Sequence, residues 1–152
     1  MKRLAPDSLI IVTSVVACFG YLLPWFQISD RYRWWYSGWN YTMSDDGAGW
    51  TWLIYVWLAV ALLGGLWARR YVAAAMTAVV ATIGAIIFST IMVVVSFART
   101  GQNNLDHVPQ MRLGLGLPIL AIGFGLLLAA AVRAIAVVST EHAAVPRPAS
   151  RR

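Results

Sequence analysis

Two histidines, one cysteine and six carboxylates are the residues in this 152-residue chain that could most readily hold a metal or move a proton near neutral pH. None stands where such chemistry needs it. His107 has one near acid, Asp106, and no second histidine on its side of the chain to form a metal pair, so it reads as a solvated loop residue. Asp45, Asp46 and Gly47 form a turn tract, with a cation site as the sharper alternative. Cys18 is alone, which rules out an internal disulfide, a cysteine metal cage and paired-thiol redox chemistry. Asn40-Tyr41-Thr42 matches the glycosylation pattern, a three-residue signal that often arises by chance. No glycine-rich phosphate loop and no nucleophile with a partnered base is present. Neither an enzyme nor a cofactor is expected.

Aromatic rings are the remaining candidates. Six aromatic residues lie between Tyr32 and Tyr41, in a stretch where Arg31 and Arg33 offset two of the three acids Asp30, Asp45 and Asp46. Disordered linkers are poor in aromatics, so this stretch is expected to fold or to lie on a surface. Trp34, Trp35, Trp39 and Tyr41 are read as partner contacts, because Tyr and Trp dominate interface hot spots and clustered exposed rings mark contact sites. Anchoring among lipid headgroups is the rival reading, since Trp is at home there.

The elements that hold these residues are apolar runs. Tyr71 to Phe97 is twenty-seven residues without a charge, led in by Arg69 and Arg70. About 20 apolar residues span a bilayer core at roughly 1.5 Å per residue, so this run is a transmembrane helix with turns to spare. Its small residues recur four apart. Ala73, Thr77, Ala81, Ala85 and Ser89, flanked by Ala74, Ala78, Thr82 and Thr90, are expected to form a packing ridge, because helices in lipid associate where small side chains let backbones approach. Val79, Ile83, Ile87 and Val94 are left for acyl chains. Three further spans follow from the same reasoning: 8–26, 50–68 and 113–138. The first resembles a signal peptide but closes on Pro24, Trp25 and Phe26 where cleavage wants small residues, so it is expected to be retained. Asp7 or Ser8 can cap it. Ala61 with Gly65, and Gly64 with Ala68, offer close approach in the second. The fourth carries Ala121, Gly125 and Ala129 on one stripe, a loose start at Gly114, Gly116 and Pro118, and Arg133 free to reach headgroups.

Between the spans lie loops 27–49 and 98–112, and a flexible tail is expected over 139–152. Within the first loop, residues 31–36 and 39–43 are expected to pair as a hairpin across Ser37 and Gly38. Eight of the twelve basic residues fall on the side of both termini and four on the loop side, which places the termini in the cytoplasm. The net charge of +6 is thereby topology, not a nucleic-acid footprint. No span holds a buried acid or a matched pair of broken helices, which argues against a proton-coupled transporter acting alone.

Leu23-Pro24-Trp25 at the close of the first span and Tyr36-Ser37-Gly38-Trp39 in the loop give the chain its resemblance to a group of small bacterial four-helix membrane proteins of unassigned role. The layout also resembles claudins in topology, although claudins carry a cysteine pair in this loop and this chain has none there. The resemblance implies a four-helix fold over the whole chain and no catalytic residue. The expectation is therefore an all-α membrane protein, a four-transmembrane-helix bundle acting as an accessory or assembly subunit of a larger respiratory, transport or envelope-building complex. Alternatives are an oligomeric pore or transport component with Thr77, Thr82, Ser89 and Thr90 along a polar seam, and an external module whose rings stack on lipid or sugar.

Overall fold

A computed structural model describes residues 6–27, 35–43, 49–98 and 112–144, and within them the fold is all-α, with five helices and a minute sheet. Helix α1 (Ser8–Leu22) begins because Asp7, extended at the N-cap, accepts the backbone N–H of Leu9 at 3.0 Å and of Ile10 at 3.4 Å. These are donors that a helix start leaves unpaired. It stops at Leu23, which is extended ahead of Pro24 as the proline ring requires. The chain then folds back, and the Trp25 indole N–H donates to the Gly20 carbonyl at 3.0 Å.

Strand β1 (Phe26–Gln27) follows and is the centre of a three-stranded antiparallel sheet, with β2 (Trp35–Tyr36) on one side and β3 (Arg112–Leu113) on the other. The expected hairpin across Ser37 and Gly38 does not form. Residues Gly38–Met43 are instead a short helix, α2, and β2 pairs backwards onto β1, Phe26 opposite Tyr36. The reason is local: Ser37 acts as a cap, its hydroxyl accepting the Asn40 N–H at 3.2 Å, and Gly38 lets the helix start directly on the ring of Tyr21, where a Cβ would come to 2.5 Å.

A 3-10 turn over Gly49–Trp52 leads into α3 (Leu53–Trp67), so this helix starts later than the span expected from residue 50. Tight bonds from Arg70 N and Tyr71 N to the Trp67 carbonyl turn the chain into α4 (Val72–Ala98). Helix α5 (Gly116–Ala144) closes the fold. It carries on through six residues of the expected tail, to Ala144. Its start is tied rather than loose, since Gly114 N donates to Trp25 O at 2.7 Å and Gly116 N to Pro24 O at 2.8 Å.

Contacts run in a ring: α1 lies chiefly on α5, α5 on α4, α4 on α3, and α3 more lightly on α1. Two of the expected small-residue faces are rotated. On α4 the buried positions are Ala75, Ala78, Thr82, Ala85, Ser89 and Met92, with Ala81 beside them, while Ala73 and Thr77 are exposed. The spacing three, four, three, four averages 3.5 and stays on one face, whereas a row taken every four residues precesses about 40° per step on a helix of 3.6 residues per turn. The same drift carries Ala121, Gly125 and Ala129 out of the α5 contact, which is made by Leu120, Gly123, Leu127, Ala130 and Ala134.

One of the two core clusters is built mostly of small residues, while the other packs Tyr21, Trp25, Phe26, Ile54, Met92 and Phe124. Eight alanines along α3, α4 and α5, from Ala61 to Ala134, sit at 2% exposure or less, except Ala130 at 7%, in one core cluster. Outward stand Phe19, Val56, Val80, Val94, Ile122 and Leu126, each more than half exposed. Two helices, α4 and α5, are long and apolar enough to cross a membrane, and their apolar stretches are only 33% and 39% buried within the fold. The buried core helix of a water-soluble protein hides most of its apolar length. Helices α1 and α3 are equally apolar but have 15 residues each.

Candidate functional site

At the Trp25 end, opposite to Asp7, the rings gather around Tyr21. It is 1% exposed and meets Trp25 edge-on at 5.5 Å and Tyr55 at 5.4 Å, while its hydroxyl is 2.7 Å from Thr42 Oγ1 and 3.9 Å from Met92 Sδ. Thr42 Oγ1 also donates to the Gly38 carbonyl at 2.9 Å. That hydroxyl pair locks α2 onto the ends of α1 and α4. It also commits the threonine of Asn40-Tyr41-Thr42 to the interior.

Trp39 lies on the outer side of α2. Its ring meets Tyr55 edge-on at 5.9 Å, and Trp52 meets the same Tyr55 from the other side at 5.4 Å. Trp39 and Trp52 are nonetheless 40% and 49% exposed, so each presents an open ring on a packed base. Met43, one turn from Trp39 on α2, is exposed as well. Of the other expected contacts, Thr77 is exposed on α4, away from this end, with its hydroxyl returned to Ala73 O. Trp34, and the side chains of Trp35 and Tyr41, lie outside the described residues, as do Asp45, Asp46 and His107.

A second surface runs between α4 and α5: a groove of about 400 Å³ walled by Ser89, Thr90, Val93, Ala121, Phe124 and Gly125. Its open wall is the rotated stripe. A Cβ placed on Gly125 would meet nothing within 4 Å. Ser89 is the exception among the described hydroxyls of α4. Thr77, Thr82 and Thr90 each donate back to the carbonyl four residues earlier, at 2.9, 2.7 and 2.8 Å, but Ser89 Oγ is buried with no hydrogen-bond partner. An unpaired buried hydroxyl costs about 1–3 kcal/mol, so a group supplied from the groove would be gained against that penalty. Thr77 and Thr90 are exposed while Thr82 and Ser89 are buried, so the four do not share one polar seam.

The ionic chemistry sits at the other end. Asp7 Oδ2 receives Arg69 Nε at 3.4 Å and an Arg133 terminal nitrogen at 3.2 Å, while Oδ1 is the cap acceptor. Sequence reasoning found the cap and assigned Arg133 to the headgroups, without its contact to Asp7. The missing signal was a matter of height: both arginines lie level with the start of α1. Among the described residues no three His, Cys, Asp or Glu come together as metal ligands. No protein-family model, curated protein or solved structure matches this chain.

Proposed function

We propose that this chain is a four-helix integral membrane protein with both termini on the cytoplasmic side, serving as a non-catalytic accessory or assembly subunit of a larger respiratory, transport or envelope-building complex. The membrane half of this reading is supported by two helices long and apolar enough to cross a membrane, and by an alanine-rich core cluster with Phe, Val, Leu and Ile exposed around it. In lipid there is no hydrophobic gain from hiding large apolar side chains, and close packing of small ones holds helices together. Cytoplasmic termini are supported by Arg69, Arg70 and Arg133 at the Asp7 end against Arg112 at the other, in line with the bias of the whole sequence.

The subunit half rests on one observation above all, the unpaired Ser89 hydroxyl buried just beneath the open groove between α4 and α5. A partner helix carrying a polar side chain would complete that bond and bury Ala121 and Gly125. Trp39 and Trp52 offer a second contact at the outer end, of the ring type that anchors interfaces.

Mass spectrometry of what stays attached after mild-detergent purification is the direct test. Larger, unrelated subunits are expected with the wild-type chain. Gly125→Leu fills the groove and should reduce their recovery severely, whereas Val80→Leu, on an outward position, should not. Trp39→Ala should act as a hot spot, losing about 2 kcal/mol or more and roughly thirtyfold in affinity. Wild-type recovery from the Gly125→Leu, Trp39→Ala double variant would sink the docking reading.

Orientation has its own check. In a Cys18→Ala background, Met43→Cys should react with an impermeant thiol reagent in intact cells, and Thr140→Cys should react only after lysis. Ser37 is unsuited as a reporter because it is buried at 3% exposure. Labelling of Thr140→Cys from outside would reverse the topology.

A further inference from the structure

The Asp7 cluster has more positive charge than its own carboxylate can use. One buried aspartate, 3% exposed in its side chain, faces two guanidiniums that are 56% and 49% exposed, so the trio carries a formal excess of one positive charge. The bonding is one-sided. Arg69 bonds to Asp7 through Nε and Arg133 through one terminal nitrogen, so neither guanidinium grips the carboxylate with two nitrogens. A guanidinium has five N–H donors in a planar fork, so most of both forks is spare.

Those forks open onto a cavity of about 260 Å³, whose remaining wall is Ala134, Val137 and Val138 of α5. Asp7 is itself immobilised. Its Oδ1 caps α1, and its backbone N–H donates to the Gly65 carbonyl of α3 at 2.9 Å, which fixes the anchor that aims the arginines. The cap of α1, the turn after α3 and helix α5 therefore contribute to one pocket with cationic forks on one side and aliphatic carbon on the other. Two forks set to receive oxygen pairs fit a phosphate, and an aliphatic wall that includes the exposed Val137 fits hydrocarbon attached to it.

We infer that the Asp7–Arg69–Arg133 pocket holds the phosphate of an anionic phospholipid, with Asp7 as the positioning residue and the two arginines as the ligands. This rests on the membrane half of the reading above and is independent of any protein partner. Asp7 keeps the net charge at one, which matches a phosphodiester that carries no compensating amine. A zwitterionic headgroup would bring its own cation against Arg69 and Arg133, and is discriminated against.

The test uses the full chain in detergent, with native mass spectrometry counting retained lipid. Phosphatidylglycerol should be retained one per chain in clear preference to phosphatidylcholine. Arg133→Gln or Arg69→Gln should each weaken retention about tenfold, as expected for loss of a charge-assisted contact. Arg133→Lys, which keeps the charge and the fold but loses the fork, should fall between, and Arg112→Gln at the opposite end should bind as wild type. Equal retention by all variants, or no preference over phosphatidylcholine, overturns the site. Displacement of the lipid by millimolar inorganic phosphate would assign the pocket to a soluble phosphate and overturn the lipid. Carbonate extraction of the wild-type chain from its membrane would fail the underlying reading itself, whereas a chain that stays in the membrane but retains no phosphatidylglycerol refutes the site alone.

Discussion

Gly20→Ala should loosen the whole assembly, although it adds a single methyl group. The new Cβ would stand 2.6 Å from the Leu120 Cα and closer still to its backbone nitrogen, so what it strikes is the spine of α5, not a side chain that can swing away. On the other helix Gly123 faces Ala17 in the same manner, at 2.8 Å from its Cα. The two contacts set how near α1 and α5 run, and this is the most extensive helix pair in the fold. Overpacking of a tight site costs about 1–3 kcal/mol where side chains can shift. Here the expected loss lies at the top of that range or above it, read as a fall in the unfolding midpoint in detergent. Gly125→Ala adds the same methyl on α5 where nothing lies within 4 Å, and should leave the midpoint unchanged. Equal midpoints for the two variants would mean that α1 and α5 do not run backbone to backbone.

Trp25→Ala should be the most damaging truncation. Trp25 is wholly buried, among the largest side chains to be so, with Tyr21 against its face and its N–H on the Gly20 carbonyl. Replacement of a buried Trp by Ala costs about 3–5 kcal/mol through lost contacts and the cavity left behind. Trp25→Phe refills most of the volume but leaves the Gly20 carbonyl without its donor, so it should recover part of the loss and not all of it. By contrast Trp39→Ala removes a ring that is 40% exposed and should barely move the unfolding midpoint, whatever it does to partner recovery. A midpoint equally lowered by Trp25→Ala and Trp39→Ala would show that Trp39 belongs to the interior.

The comparison of these two tryptophans marks where the sequence was readable. Charge-free runs and their flanking arginines are one-dimensional signals, so α4 and α5 could be located to within a few residues, and Asp7 could be recognised as a cap. Which side of each helix faces inward was harder. A ladder of small residues every fourth position is easy to see in a string of letters, but it winds around a straight helix, and the true faces follow the alternating three-four spacing. Pairs distant in sequence were not visible at all: Asp7 and Arg133 are 126 residues apart, and only the relative heights of α1 and α5 bring them together. Two-residue strands carry no periodicity to read, which is why β2 was assigned the wrong partner. Trp39 was found as a candidate contact from composition alone, but its footing on Tyr55 was not.

The pairing of the first long helix with the last has a consequence in time. Gly20 and Ala17 of α1 cannot meet their partners until Leu120 and Gly123 have been made, a hundred residues or more later, which at about 5–20 residues per second is a delay of roughly 5–20 s. Helices α3 and α4, joined by a four-residue turn, close on each other long before that. During synthesis the chain therefore passes through a stage in which the α3–α4 pair is complete and the narrow face of α1 is vacant. Because α5 is made last, its contacts with α1 and α4 are the last of the ring to close.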